Sequence, residues 1–116
     1  MNFAGASKVH FIGIGGAGMS AIAKVLLERG VGVSGSDLKG SRATTVLSAM
    51  GAAVTIGHEA GSVADAGLVA VSAAIPEHNV ELVAARAAEL VVMGRGEVLA
   101  ELVKDGRSIV VADTHG

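Results

Sequence analysis

A glycine-rich segment near the start of the sequence carries the clearest chemical signal. Residues 13–18 (GIGGAG) match the G-x-G-x-x-G pattern, directly after an apolar run and before a helical pattern. A side chain at Gly13 or Gly15 would obstruct the turn or the approach of a pyrophosphate, and one at Gly18 would push the helix off the sheet. Amides at the helix start, aided by the helix dipole, would face the anion. The segment predicts a phosphate-binding turn; alternatively, its glycines only allow close packing of strand and helix.

An acidic residue further along the chain indicates that the bound phosphate belongs to a nucleotide. Asp37 lies 19 positions after Gly18, at the end of the next predicted strand, where a carboxylate commonly binds ribose hydroxyls. Its alternative role is to cap the following helix or a turn, although Ser36 and Ser41 could do the same. On these residues alone the ligand is a nucleotide diphosphate of unspecified base, so NAD, FAD and UDP-sugars all fit.

The elements that must position these residues alternate along the chain. Apolar runs predict the strands, and apolar residues at helical spacing predict the helices between them. The predicted strands cover residues 8–14, 31–36, 53–56, 68–71, 90–93 and 108–112, and the predicted helices cover 17–30, 41–50, 59–66 (weak), 81–89 and 97–104. Because the strands are apolar, helices should cover both faces of a parallel sheet. The predicted fold class is α/β, a single Rossmann-like doubly wound parallel sheet of about six strands.

Composition limits the functions that the chain can have. Its 116 residues are 51% hydrophobic, which predicts one domain, and the absence of cysteine excludes disulfides, thiolate metal sites and thiol catalysis. A net charge of −2 gives no general attraction for nucleic acid or an anionic membrane, and no apolar run reaches the roughly 18 residues of a membrane span. Only Phe3 and Phe11 are aromatic, so a bound base would not stack on Trp or Tyr.

The remaining ionisable side chains predict structural roles. The histidines lie on different predicted elements without an i, i+4 pair, so we expect no metal site. His10 should be packed and hydrogen-bonded inside the first strand. A solvated helical face is predicted from Glu77, Glu81, Arg86 and Glu89, with Arg86 paired to Glu89. Ser72 lacks the flanking glycines of a nucleophile elbow, so the sequence predicts a binding site rather than a catalytic one.

Several short segments occur in the order in which one enzyme family has them. These are residues 10–20 (HFIGIGGAGMS), 34–37 (SGSD), Gly57-His58, 71–75 (VSAAI), Asn79, Arg95 and the ending 114–116 (THG). They cover nearly the whole chain, whereas a dehydrogenase would match only the first two. The sequence therefore resembles the amino-terminal domain of the Mur ligases, in particular of the members that join L-alanine to UDP-N-acetylmuramate.

The resemblance implies a substrate-binding role within a larger enzyme. Residues 1–116 would form the UDP-N-acetylmuramate-binding domain of a cytoplasmic ligase of peptidoglycan synthesis, followed by a central ATPase domain and a carboxy-terminal domain. With ATP and Mg²⁺, that ligase activates the muramoyl carboxylate as an acyl phosphate, which the amine of L-alanine attacks. No cofactor, nucleic acid or membrane insertion is expected for these residues themselves. The alternatives are an NAD(P)-binding module of an oxidoreductase or regulator and the related ligase that recycles murein tripeptide.

The resemblance also implies substrate contacts residue by residue. Residues 15–20 would hold the diphosphate, Ser36 and Asp37 would contact the uridine, His58 would lie near the uracil, and residues 72–74 would line the nucleotide or sugar side. The complete implied set is Gly13, Gly15, Gly16, Ala17, Gly18, Met19, Ser20, Ser36, Asp37, His58, Ser72, Ala73 and Ala74.

The last four residues resemble the beginning of the family's ATP phosphate loop. In the family, Gly-Thr-His-Gly continues into Lys-Thr-Thr, whose amides and lysine hold the ATP phosphates. In this sequence Asp113 replaces the first glycine of that loop, and Thr114, His115 and Gly116 match the three residues that follow it. Since the sequence stops before the lysine, we expect the chain alone neither to hydrolyse ATP nor to form an amide bond. The carboxylate of Asp113 would lie beside a bound triphosphate.

Overall fold

A parallel β-sheet with helices between its strands forms the centre of the structure. The computed structural model describes residues 2–104. The strands are β1 (Lys8–Ile12), β2 (Gly32–Asp37), β3 (Ala53–Ile56), β4 (Leu68–Val71) and β5 (Val91–Gly94). The helices are α1 (Met19–Glu28), α2 (Arg42–Ala49), α3 (Val80–Ala87) and α4 (Arg95–Lys104), with a short 3₁₀ helix at Ala60–Val63. None of these helices is long and apolar enough to span a bilayer.

The strand order gives the sheet a central reversal point. All five strands are parallel and lie in the order β3-β2-β1-β4-β5. The chain therefore adds strands on one side of β1 before it crosses to the other side. Open α/β sheets bind their ligands at such a reversal, beside the carboxyl ends of the strands. The arrangement confirms the predicted α/β class and the single parallel sheet, while the sixth predicted strand, at 108–112, lies outside the described residues.

Helices cover both faces of the sheet, and each face has its own apolar cluster. On the first face, α1, α2 and α4 contribute the buried side chains of Leu26, Leu47 and Leu102. On the second face, the 3₁₀ helix and α3 contribute Val63 and Leu82. Each buried leucine or valine stabilises the fold by roughly 1.5–3 kcal/mol relative to an exposed position. This two-sided burial explains why the strands are mostly apolar.

Element boundaries differ from the predicted ones where glycine or a capping residue intervenes. β1 ends two residues early because Gly13 has a φ of 85°, which is outside the extended region. α1 begins two residues late because Gly18, with a φ of 82°, is not helical. α2 begins after Ser41, which forms a capping box with Thr44. The weak helical stretch at 59–66 is the 3₁₀ helix.

Candidate functional site

The glycine-rich turn joins the carboxyl end of β1 to the start of α1. The amides of Gly13 and Ile14 both donate to the carbonyl oxygen of Ser36, at 2.8 and 2.9 Å, so the turn is tied to β2. A Cβ on Gly13 would lie 2.9 Å from the Cβ of Ser72, in the loop after β4. Glycine is therefore needed at this position both for its positive φ and for the close approach of that loop.

The start of α1 combines unpaired backbone amides with a positively charged side chain. Within residues 2–104, the N–H groups of Ala17, Gly18 and Met19 have no hydrogen-bond acceptor. The side chain of Arg95, the first residue of α4, lies against Gly18, so that a Cβ on this glycine would collide with the arginine Nε. The expectation that such a Cβ would push α1 off the sheet is therefore wrong. Together with the helix dipole, these groups favour a bound anion.

Asp37, the last residue of β2, fixes the middle of the turn. Its Oδ2 accepts a hydrogen bond from the Gly15 amide at 2.8 Å, and its Oδ1 accepts one from the Leu38 amide at 2.8 Å. A Cβ on Gly15 would lie 2.9 Å from this Oδ2, so a side chain there would first displace the carboxylate rather than block a pyrophosphate directly. Asp37 does not cap α2, because Ser41 does so.

An open cleft of about 570 Å³ lies at the carboxyl ends of the central strands. It is lined by six of the expected substrate residues: Gly13, Gly16, Asp37, His58, Ser72 and Ala74. They lie at or directly after the carboxyl ends of β1, β2, β3 and β4, which the parallel sheet brings to one edge. The cleft is also lined by residues that the sequence analysis did not select as substrate contacts: Leu38, Ile75, Pro76, His78, Asn79 and Val80. Most of these belong to the segment between β4 and α3, so their continuity with residues 72–74 is the signal that could have found them.

Other expected contacts lie apart from this cleft. The side chain of Met19 is buried in the core, so only its backbone amide is available to a ligand. Ser36 is 0% exposed. Ser20 lines a separate groove between α1 and α2, and Ala73 lines a smaller pocket beside Arg95. The residues expected to begin the ATP phosphate loop, Asp113, Thr114, His115 and Gly116, lie outside the described part of the chain.

A buried polar network reaches the cleft at His58. Oε1 of Glu81 lies 2.8 Å from His10 Nε2 and accepts from the Ser36 hydroxyl at 2.7 Å. Oε2 of the same carboxylate accepts from the Glu59 amide at 2.9 Å. The Ser36 hydroxyl oxygen also lies 2.8 Å from His58 Nδ1. The network therefore connects the second face of the sheet to a residue that lines the cleft.

The position of Glu81 contradicts the predicted solvated face. Its side chain is fully buried, and Arg86 pairs with Glu77, with 3.4 Å between Nε and Oε1, rather than with Glu89. Helical spacing contained the signal, since Glu81 lies one turn before the buried Ala85 on the same side of α3. Glu81 can occupy this buried position because its carboxylate is hydrogen-bonded to His10, Ser36 and the Glu59 amide.

Hydrogen bonds keep the buried carboxylate ionised. Burial by itself raises the pKa of Glu81, but hydrogen bonds from His10, Ser36 and the Glu59 amide, with the charge interaction with His10, hold that pKa below its ordinary value of 4.5. His10 is buried and hydrogen-bonded at both ring nitrogens, which confirms the role predicted for it. In the part of the chain that the structure describes, no group of three potential ligands is arranged to hold a metal ion.

Comparison with known proteins connects this geometry to one enzyme family. Residues 8–107 match the model described as Mur ligase family, catalytic domain. The chain is 55% identical over 109 residues to the UDP-N-acetylmuramate–L-alanine ligase of Rubrobacter xylanophilus, a match that covers 94% of this chain and 24% of that protein.

Solved structures agree with this match. The crystal structure of UDP-N-acetylmuramate-alanine ligase MurC from Thermotoga maritima superimposes with a TM-score of 0.80 and 33% identity, over 84% of this chain and 23% of that one. The UDP-N-acetylmuramate:L-alanyl-gamma-D-glutamyl-meso-diaminopimelate ligase from Neisseria meningitides gives a TM-score of 0.74 and 28% identity, over 81% and 30%. The chain spans about a quarter of the length of the curated relatives that it matches. The fold, the glycine turn and these matches together show that the chain belongs to the Mur ligase family.

Proposed function

We propose that the cleft binds the uridine diphosphate part of UDP-N-acetylmuramate, and that residues 1–116 are the substrate-binding domain of a ligase that joins L-alanine to the muramoyl carboxylate. The names of the relatives support this choice of substrate, since the match to a UDP-N-acetylmuramate–L-alanine ligase reaches 55% identity. The location of the cleft at the reversal point of the sheet supports a nucleotide ligand.

The free amides at the start of α1, which directly follow the cleft-lining Gly16, are the observation that carries the proposal. A diphosphate presents several anionic oxygens, and the unpaired amides of Ala17, Gly18 and Met19 are donors without a partner among residues 2–104. Arg95 would add charge-assisted hydrogen bonds to the same phosphates. The turn needs no lysine for this purpose, because its donors belong to the backbone.

The nucleoside end would occupy the side of the cleft formed by β2 and β3. Each carboxylate oxygen of Asp37 accepts one backbone hydrogen bond and keeps a further acceptor position for a ribose hydroxyl. His58 lines the same cleft after β3, where it would meet the base. Leu38 and Val80 supply apolar surface for the base in a chain without Trp or Tyr, and Ser72 would line the sugar side.

The chemical step belongs to other parts of the complete enzyme in this proposal. The chain would bind and orient the muramoyl substrate, and a central ATPase domain would provide ATP and Mg²⁺ to activate the carboxylate as an acyl phosphate in the cytoplasm. Residues 113–116, which would begin the ATP phosphate loop, lie outside the described residues. The proposed role of residues 2–104 is therefore binding and orientation.

The alternatives receive less support. The glycine turn and Asp37 also fit an NAD(P)-binding module, but the family match extends over residues 8–107 rather than over those features alone. The ligase that acts on a tripeptide has a similar fold, but its structure is 28% identical to this chain with a TM-score of 0.74, against 33% and 0.80 for the structure of the L-alanine ligase.

Calorimetry tests the proposal directly. The 116-residue chain is titrated with UDP-N-acetylmuramate, UDP, NADH and NADPH, and we expect saturable heats with the two uridine nucleotides and none with the dinucleotides. The Arg95→Ala variant should bind UDP about 10-fold more weakly, because it removes charge-assisted hydrogen bonds. Arg86→Ala is the matched control, since this arginine is exposed and pairs with Glu77. Saturable NADH binding with no UDP binding would overturn the proposal.

A further inference from the structure

The directions of the hydrogen bonds around Glu81 follow from its charge. An ionised carboxylate only accepts hydrogen bonds, so the Ser36 hydroxyl must donate its proton to Oε1, 2.7 Å away. His10 must likewise donate its Nε2–H to the same oxygen, at 2.8 Å. Both Glu81 and Ser36 are 0% exposed, so water does not compete for these bonds. The carboxylate thereby fixes the proton positions of its neighbours.

The same reasoning fixes the proton on His58. Ser36 has used its only proton on Glu81, so its hydroxyl oxygen can interact with His58 Nδ1 at 2.8 Å only by accepting an Nδ1–H. Oε2 of Glu81 lies 3.7 Å from that Nδ1 and also favours a proton there. In the neutral ring the Nε2 atom then carries a lone pair. Within residues 2–104 the polar contacts of His58 are made by Nδ1 and not by Nε2, and the ring lines the cleft.

We infer that Glu81 is a positioning residue which, through Ser36, holds His58 as the Nδ1–H tautomer, so that His58 Nε2 accepts a hydrogen bond from an N–H group of the bound base. The imide N3–H of uracil is a donor of this kind, whereas N3 of cytosine is itself an acceptor. The identity of the base rests on the proposed function. The tautomer does not, because it follows from the residues of the chain alone.

His10 provides an internal comparison for the tautomer. In its neutral form this ring donates from Nε2 to Glu81, so its Nδ1 accepts from the Ser34 hydroxyl, 2.8 Å away. The two histidines on either side of the carboxylate should therefore carry their protons on opposite nitrogens. In an NMR spectrum that resolves both imidazole rings, the His10 signals therefore serve as an internal reference for the tautomer of His58.

Long-range ¹⁵N–¹H NMR of the imidazole rings tests the tautomer without any ligand. At about pH 8.5, well above the ordinary pKa of histidine, we expect His58 to show the Nδ1–H pattern and His10 the Nε2–H pattern. Glu81→Gln replaces an acceptor oxygen with an NH₂ donor and should shift His58 toward Nε2–H. Ser36→Ala keeps the charge of Glu81 and should have the same effect, whereas the exposed Glu89→Gln should have none. An Nε2–H pattern for His58 in the unsubstituted chain would overturn the inference.

Ligand analogues test the role of the free nitrogen. UDP should bind at least about 10-fold more tightly than its N3-methyl analogue, which lacks the imide proton, and this ratio should fall below about threefold in Ser36→Ala and Glu81→Gln. UDP binding with equal affinity for the analogue would overturn the inference and leave the proposed function intact. Absence of any UDP binding would instead overturn the proposed function, and with it the assignment of the base.

Discussion

At the residue scale, Asp37 links the glycine turn to the nucleoside end of the cleft. Its carboxylate holds the Gly15 amide and would accept a hydrogen bond from a ribose hydroxyl. The Asp37→Ala variant should therefore bind UDP about 5- to 30-fold more weakly, which corresponds to about 1–2 kcal/mol. Calorimetry of both proteins measures this difference.

The control for Asp37 is another aspartate with a surface role. Asp65 is exposed and pairs with Lys8 at 2.9 Å, away from the residues that line the cleft. Asp65→Ala should leave UDP affinity unchanged, because exposed pairs contribute little and no contact with the ligand is lost. Equal affinity of the Asp37→Ala and unsubstituted chains would remove this carboxylate from the site.

Local patterns predicted that Asp37 lies at the end of β2, but they did not predict the buried role of Glu81. The position of Asp37 follows from a motif whose spacing is fixed within one strand–helix–strand unit. The partners of Glu81 are distant in sequence, with His10 separated by 71 positions and Ser36 by 45. Such contacts arise only when α3 packs on the second face of the sheet. The only local sign was the position of Glu81 one turn before Ala85, on the buried side of α3.

At the scale of single elements, the turn after β1 depends on a backbone conformation that only glycine adopts easily. Gly13 has a φ of 85°, and a Cβ there would approach the Cβ of Ser72 to 2.9 Å. Gly13→Ala should lower the free energy of unfolding by about 1–3 kcal/mol through backbone strain and this contact. Chemical denaturation monitored by circular dichroism measures the change.

A substitution at a second glycine, Gly61, serves as a control that distinguishes backbone strain at Gly13 from the general effect of replacing glycine by alanine. Gly61 lies in the 3₁₀ helix, has no positive φ, and has open space where a Cβ would be placed. Gly61→Ala should be neutral or stabilising by up to about 1 kcal/mol, because alanine restricts the unfolded chain more than glycine does. If the two variants lose the same stability, the turn does not require glycine at position 13.

Strand positions were easier to predict than helix starts. The bounds of β3 and β4 agree with the apolar runs at 53–56 and 68–71, and a glycine adjoins each run, with Gly57 after the first and Gly67 before the second. The start of α1 was predicted too early, because Gly18 has a positive φ that its residue type permits but does not impose. The sequence suggested Ser41 as a capping residue, and the structure shows that it caps α2.

At the scale of the whole molecule, the strand order determines where the cleft forms. The reversal beside β1 brings four loops to one edge, so residues that are far apart in sequence line one cleft. The alternation of strands and helices was sufficient to predict a doubly wound sheet. The cleft wall between β4 and α3 was not predicted, because residues such as Ile75 and Pro76 have no chemistry of their own and matter only through their location.

Mapping of UDP binding by amide chemical shifts tests the central claim most directly. In a titration of the ¹⁵N-labelled chain, the account predicts the largest shifts at the glycine turn and the strand ends, at Gly16, Gly18, Asp37, His58 and Ser72. The groove between α1 and α2, lined by Lys24 and Arg42, should remain unchanged and serves as an internal control. Shifts confined to that groove, or no saturable shifts at all, would contradict the assignment of this cleft as the uridine diphosphate site.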